Sequence, residues 1–201
     1  MNSFQSIIND LLEGLTPRQK QVVIRRFGLD GKKHMTLASL GSKYSVTRER
    51  IRQIEEGSFS IIRKKISGGD HKDIFTFLQS EIDRNGGIRK EDDLHDAIEQ
   101  KYGERLMPLQ LRFLLEASNI YTFVAQDKDF YSMWHKGTEA LDKAQEVLGK
   151  VENFFTREKS NILETLNYDQ IVKKISKEST IAENALKNYL ALSRKFAKSH
   201  Y

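Results

Sequence analysis

Two short helical patterns joined by a tight connection constrain the fold of this chain most strongly. Thr36 is placed to cap a helix that runs to Tyr44, and Thr47 is placed to cap another that continues to about Ile66. Threonine suits both starts because its side-chain oxygen accepts a hydrogen bond from a free backbone N–H of the first turn. Two capped helices separated only by Ser45-Val46 predict a helix-turn-helix.

The second of these helices divides into an apolar and a polar side. At about 100° per residue, Ile51 and Ile54 fall on one side, where they can dock on Leu37 and Leu40. The opposite side carries the side chains that suit the edges of DNA bases, namely Arg48, Glu49, Arg52 and Gln53. Arginine pairs with guanine, glutamine with adenine and glutamate with cytosine in the major groove. The pattern therefore predicts a helix that reads DNA.

Each polar residue of this region has an expected role. We predict that Arg48, Glu49 and Gln53 read bases, whereas Arg50, on the flank, is better placed for phosphate. Thr36 and Thr47 stand at helix starts, where free backbone N–H groups bind phosphate oxygens. The alternative is a salt-bridged surface helix whose side chains merely pair with one another.

The positive charge of the chain is concentrated in its first third. Residues 1–66 hold 13 Lys+Arg and 6 Asp+Glu, a balance of +7, and residues 67–201 hold 20 and 22, a balance of −2. A local excess of cations attracts a polyanion without choosing a sequence. The alternative is a solvated basic surface.

Breaks in the pattern divide the chain into three segments. The glycines in Ser67-Gly68-Gly69-Asp70 end the helical pattern where the charge changes sign, and His135-Lys136-Gly137-Thr138 forms a second break. We expect a helix-turn-helix domain at 1–66, a winged-helix domain at 70–135 and a helical domain at 138–201, in which a winged helix would be incomplete. The predicted fold is mainly α with a small β-hairpin.

Helices and one hairpin are predicted along these segments. In the first, apolar spacing indicates a helix from Phe4 to Leu12, and Thr16-Pro17 begins another that stops at Gly28. In the second, helices are expected near 90–101 and across 108–117, and the aromatic, β-branched run at 119–134 predicts the hairpin. In the third, helices are expected across 139–155, 168–177 and 181–198. The sequence leaves open whether its C-terminus is natural or truncated.

Other chemistry finds little support in the sequence. The chain has no cysteine, its five histidines lack ligand spacing, and phosphate-binding glycine motifs are missing. The acidic run Lys90 to Asp96 suits the first turn of a helix better than a metal site. We therefore expect no catalytic residues, no metal, no cofactor, no small-molecule substrate and no enzyme activity. No apolar run spans a membrane and no secretory signal is evident, so a cytoplasmic location is expected.

The run from Leu15 to Glu55, "LTPRQKQVVIRRFGLDG…TLASLGSKYSVTRERIRQIE", resembles the fourth conserved region of the sigma-70 family of bacterial transcription initiation factors. We extend the resembling module over 15–66. The middle segment resembles, more loosely, the winged helices of the RNA polymerase delta subunit and of the HARE-HTH type, through "GGIRKEDDLHDAI" and the aromatic hairpin. Turn-forming glycine or aspartate is usual in the family where Ser45 stands. Nothing before Leu15 resembles the sigma region that melts promoters, so we do not expect a complete sigma factor.

The resemblance implies partners and contacts. Double-stranded promoter DNA and the β flap of core RNA polymerase would be the partners. Base contacts would come from Arg48, Glu49 and Gln53, and the residues along the phosphate backbone would be Arg18, Arg26, Thr36, Arg50 and Arg52. The alternative is a polymerase accessory subunit that binds the core enzyme with little direct readout of DNA.

Overall fold

The computed structural model describes residues 3–158 and 167–196. Within them the chain forms helices α1 Phe4–Leu11, α2 Pro17–Phe27, α3 Leu37–Tyr44, α4 Arg48–Ser67, α5 Lys72–Asp83, α6 Glu91–Tyr102, α7 Pro108–Ser118, α8 Thr138–Glu158, α9 Tyr168–Ser179 and α10 Glu183–Leu192. Three short strands accompany them, β1 Ile88–Lys90, β2 Thr122–Val124 and β3 Met133–His135. The expected fold class, mainly helical with a small sheet, is confirmed.

The chain divides into two compact units that interleave along the sequence. The first unit contains Met1–Leu78 and His95–Ile120, and the second contains Gln79–Leu94 and Tyr121–Tyr201. Helices α5 and α6 therefore each contribute to both units. The three domains expected from the sequence, 1–66, 70–135 and 138–201, stay a prediction.

Helix α2 begins and ends where its sequence signals predicted. Thr16 and Gln19 form a capping box, because each side chain binds the backbone of the other residue, and Pro17 occupies the first helical turn. Gly28 ends the helix in the left-handed conformation at φ 60°, which glycine adopts without a steric cost.

The helix-turn-helix of α3 and α4 is confirmed. Ser45 closes α3 in the left-handed conformation, with φ 55°, and the N–H of Val46 donates to the carbonyl of Gly41 at 3.0 Å. A Cβ atom on Gly41 would lie only 2.8 Å from the carbonyl oxygen of Val46. The turn is therefore too tight for any larger residue at position 41.

Two apolar clusters hold the first unit together. Val22, Leu40 and Ile51 join α2, α3 and α4 beneath the turn. Farther along, Phe27 of α2 and Phe59 of α4 meet Phe113 of α7, with ring centroids 5.6–6.2 Å apart. Aromatic rings at this separation gain both buried area and favourable ring geometry. Helix α7 is thus part of the core that supports the helix-turn-helix.

The second unit is built on a three-stranded antiparallel sheet. The strand order is β1-β3-β2, with Ile88 opposite His135 and Phe123 opposite Trp134. The predicted hairpin is therefore confirmed as β2 and β3. Apolar residues from α8, α9 and α10 pack with Ile88 and Met133 into one cluster.

Two details of this unit differ from the sequence predictions. Strand β1 was not predicted, because a three-residue strand with two charged residues shows no alternation and acquires its partner β3 only through the fold. The last helix, predicted to run from 181 to 198, ends at Leu192. Ser193 is extended and bridges to Phe130, and the N–H of Arg194 donates to the carbonyl of Asp129 at 2.9 Å. Residues 197–198 lie outside the described part.

Candidate nucleic-acid interface

The first two turns of α4 have the division into faces that the sequence predicted. Ile51 is fully buried, and Ile54 packs against the cluster of Val22 and Leu40. On the other side the polar residues of these turns, Arg48, Glu49, Arg50, Arg52 and Gln53, are all exposed. Ile51 and Ile54 anchor the helix, so the exposed side chains are presented on a fixed backbone.

The exposed side chains also pair with one another. The guanidinium of Arg52 donates two hydrogen bonds to the carboxylate of Glu49, both 2.9 Å long, and Arg50 donates one of 3.1 Å to the amide oxygen of Gln53. Hydrogen bonding with Arg52 holds the pKa of Glu49 below its ordinary value. Both pairs join residues that are three positions apart along the helix. Both partners of the Glu49–Arg52 pair are more than half exposed, so solvent weakens it.

Thr36 and Thr47 cap their helices as predicted. The hydroxyl of Thr47 accepts from the N–H of Arg50 at 3.0 Å, and that of Thr36 accepts from the N–H of Ser39 at 3.1 Å. Each cap occupies one of the free N–H groups at its helix start, so other N–H groups of that first turn are the ones available to a phosphate oxygen.

Arg18, a predicted phosphate contact, is held beside the turn by an aromatic ring. Its guanidinium carbon lies 3.7 Å from the ring centroid of Tyr44, and the hydroxyl of Tyr44 donates to the side chain of Gln21 at 3.3 Å. A cation over an aromatic face is attracted by the ring quadrupole. Sequence reasoning missed Tyr44, because 26 residues separate it from Arg18 and no local spacing links them.

Arg26 is placed differently from the other predicted phosphate contacts. Its Nε lies 3.1 Å from the carboxylate of Glu55, and both side chains are mostly buried, with exposures of 25% and 15%. Arg26 therefore joins α2 to α4 in this structure. Burial raises the pKa of Glu55, an effect that the attraction of Arg26 offsets only in part.

The exposed face of α4 is short. Phe59 returns to within about 20° of the direction of Arg48 around the helix axis. It is buried, however, against Phe27 and Phe113. The side of α4 that is open at Arg48 is consequently covered three turns later, and only its first turns face solvent in this direction.

The acidic run singled out in the sequence forms the first turn of α6. Glu91, Asp92 and Asp93 are the first helical residues, and Lys90 pairs with Asp92 at 3.3 Å. Across residues 3–158 and 167–196, no group of three or more His, Asp or Glu side chains is arranged to hold a metal ion. Within the same ranges no helix is long and apolar enough to span a membrane.

Comparison with known proteins points to one family for the helix-turn-helix. The family model "Sigma-70, region 4" matches residues 11–64. The chain is 42% identical over 57 residues to RNA polymerase sigma-B factor of Nostoc sp. (strain PCC 7120 / SAG 25.82 / UTEX 2576), a match that covers 28% of this chain and 17% of that protein. It is 43% identical over 61 residues to RNA polymerase sigma factor RpoD of Neisseria gonorrhoeae, covering 30% of this chain and 10% of that protein.

These matches span small parts of the relatives, and each involves less than a third of this chain. The matched family segment contains α2, α3, the tight turn and most of α4. It includes every exposed polar residue of the first two turns of α4. Residues 11–64 are therefore a sigma-70 region 4 domain.

Proposed function

We propose that this protein takes part in transcription initiation or its regulation by reading promoter-like duplex DNA with the first turns of α4 in the major groove. The observation that carries the proposal is the exposed row of Arg48, Glu49 and Gln53 on a helix anchored by Ile51. A helix of this width fits the major groove, where each base pair presents a distinct set of donors and acceptors.

In this proposal, base reading and backbone contact belong to different side chains. Arg48, Glu49 and Gln53 contact base edges. The contacts along the phosphate backbone come from Arg18, Arg50 and Arg52 and from the helix starts at Thr36 and Thr47. Arg26 joins them only by giving up its ion pair with Glu55.

The pairs on the reading face do not prevent this function. Exposed helical pairs such as Glu49 with Arg52 are weakened by solvent and contribute little to the stability of the fold. A good bidentate contact to a base is worth about 1–3 kcal/mol of discrimination. Exchange of the internal pairs for base contacts therefore favours the complex, and the released side chains are already on the correct face.

The partners in this proposal are double-stranded DNA and core RNA polymerase, with the β flap as the contact implied by the resemblance to sigma factors. We assign DNA reading to α4 alone. Helix α7, the third helix of the middle segment, packs against α2 and α4, and its Phe113 contacts both Phe27 and Phe59. We therefore propose that the winged-helix-like remainder, which resembles the delta subunit and HARE-HTH types, contacts protein.

Selection of bound sequences from random duplexes tests the reading face. Arg48→Ala and Gln53→Ala should each relax preference at one position, because each removes a base contact. Arg50→Ala should weaken binding to all sequences about equally. Lys64→Ala, an exposed cation of the same helix beyond Phe59, is the matched control and should keep the wild-type preference.

Unchanged preference in both base-face variants would refute the assignment of the reading face. An accessory subunit that binds core polymerase without reading DNA predicts something different. Capture by the isolated β flap is expected in both cases, but an accessory subunit should bind duplex DNA only weakly and with little dependence on salt concentration.

A further inference from the structure

The second unit has a polar cleft that the proposed DNA-binding function does not use. Its volume is about 500 Å³, within the range of small-molecule sites. One wall is a stripe of α10, with Asn184, Lys187, Asn188 and Ala191 spaced as neighbours on one helix face. The other wall comes from the end of α5, from β1 and from the first turn of α6, which contribute Arg84, Asn85, Arg89 and Asp93.

A buried network of amides fixes one wall to the other. The side-chain amide of Asn188, which is 3% exposed, donates to the carbonyls of Asn85 and Ile88, each at 2.9 Å. Asn85 is also buried, and its amide donates to the carbonyl of Glu81 at 2.7 Å. Buried amides are costly unless they are hydrogen-bonded, so this network holds α10 to the turn before β1 in one geometry.

The same network orients the guanidinium of Arg89. Its Nη1 donates to the side-chain oxygens of Asn85 and Asn188, at 3.0 and 3.3 Å. In the described part of the chain, its buried Nε has no hydrogen-bond partner. Nη1 also lies 3.9 Å from the carboxylate of Asp93. An arginine fixed through one nitrogen in this way keeps the donors of Nη2 for a further acceptor such as an oxyanion.

Two further cations line the cleft. Arg84 pairs with the buried carboxylate of Glu81, and Lys187 pairs with Asp169 at 2.7 Å. Each cation keeps donors beyond those used in its pair, because a guanidinium has five N–H donors and an ammonium has three. The paired carboxylates reduce the field in the cleft, so affinity depends on directed hydrogen bonds more than on net charge.

The remaining lining groups suit the rest of a nucleotide. Asp93 supplies a carboxylate, the group that commonly accepts from ribose hydroxyls, and Asn184 supplies an amide that both donates and accepts. Three cations, one carboxylate and several amides in a cleft of this size match a ligand with one anionic end and a hydroxyl-bearing body.

We propose that this cleft binds a mononucleotide, with its phosphate on Arg84, Arg89 and Lys187 and its ribose hydroxyls toward Asp93. The proposal is independent of DNA reading by α4. A bound nucleotide would bridge α10 to β1 and α6, and would stabilise the second unit by mass action.

Calorimetric titration of the full chain with AMP, adenosine and inorganic phosphate tests the proposal. AMP should bind saturably, and adenosine and phosphate should each bind at least about tenfold more weakly, because each lacks part of the contacts. Arg84→Gln and Lys187→Gln should each weaken AMP binding by about fivefold or more. Lys187 is 41% exposed and its partner Asp169 is 78% exposed, so Lys187→Gln should keep the fold. Arg84→Gln removes the partner of the buried Glu81 carboxylate, so its folding is checked by circular dichroism, and Lys187→Gln decides the outcome if that variant unfolds.

Two control variants locate the binding. Lys143→Gln removes an equally exposed, carboxylate-paired lysine of the same unit, and Arg50→Gln removes a cation of the DNA-reading helix. Neither should change AMP affinity. The proposal is overturned if AMP at concentrations up to about 5 mM gives no saturable binding, because that result would mean a Kd weaker than about 1 mM. It is also overturned if Arg50→Gln weakens AMP as much as Arg84→Gln, or if inorganic phosphate binds as tightly as AMP.

Discussion

Ser45 bears the conformational cost of the tight turn between α3 and α4. It sits in the left-handed region at φ 55° and ψ 41°, which disfavours residues with a Cβ atom by about 1–2 kcal/mol. Glycine and asparagine adopt this conformation most readily, so a serine in this place has an energetic cost.

The substitution Ser45→Gly should therefore stabilise the first unit. Relief of the left-handed strain exceeds the extra entropy that glycine brings to the unfolded chain, for a net gain of about 0.5–1 kcal/mol. Urea unfolding followed by circular dichroism measures the difference. Ser42→Gly, within α3, is the matched control and should destabilise, because glycine is unfavourable inside a helix. Loss of stability in both variants would contradict the account of the turn.

Glu55 makes stability depend on pH. Its pKa is raised from the usual 4.5, first because burial removes water from the carboxylate. A raised pKa means that the folded state binds the proton more tightly than the unfolded chain does. Stability from this group is thus present at pH below about 4.5 and is lost as pH rises through the raised pKa. Urea titrations across this range should show wild type losing stability relative to Glu55→Gln as pH increases. The reverse trend would show that the ion pair with Arg26 dominates.

Local sequence signals predicted the helices whose ends they mark. They predicted little of the structure that depends on residues far apart in the chain. Helices α2, α3 and α4 were predicted because Thr16, Thr36 and Thr47 cap their starts and Gly28 ends the first. The anchored and exposed sides of α4 also followed from sequence spacing. Strand β1, the end of α10 and the stacking of Arg18 on Tyr44 were not predictable, since each is fixed by a residue far along the chain.

Helix α7 should be essential for the stability of the helix-turn-helix. Phe113 fills the space between Phe27 and Phe59, so Phe113→Ala should cost about 3–5 kcal/mol. Guanidinium unfolding measures this cost, and weaker DNA binding should accompany it at temperatures where the unit is partly unfolded. Arg112→Ala changes an outward-facing neighbour on the same helix and should cost far less. Equal stability of both variants would show that α2 and α4 do not need α7.

For the whole molecule, the separation of charge along the chain predicts how salt affects DNA binding. Three exposed arginines, Arg18, Arg50 and Arg52, are available to phosphates. At about −0.9 per neutralised phosphate, log K against log salt should have a slope near −3. Arg50→Gln should reduce its magnitude by about 1, whereas Arg26→Gln should leave it unchanged, because Arg26 is committed to Glu55. If the slope is nearer −4 and its magnitude decreases in Arg26→Gln, DNA binding breaks the ion pair between Arg26 and Glu55.

The burial of Phe59 on the side of α4 that is open at Arg48 would, in the proposed function, limit how much sequence information α4 reads from DNA. The open stretch from Arg48 to Gln53 is about 9 Å long, which spans roughly three base pairs. Three specified base pairs recur by chance about once in 64, so about a million competing sites would hold some 16,000 matches. One copy of this helix would therefore favour many DNA sites over the rest and would not select a single site. The remaining selectivity would then come from a second protein–DNA contact on the same DNA. The affinity of α4 would need only to be strong enough to add to the affinity of that second contact.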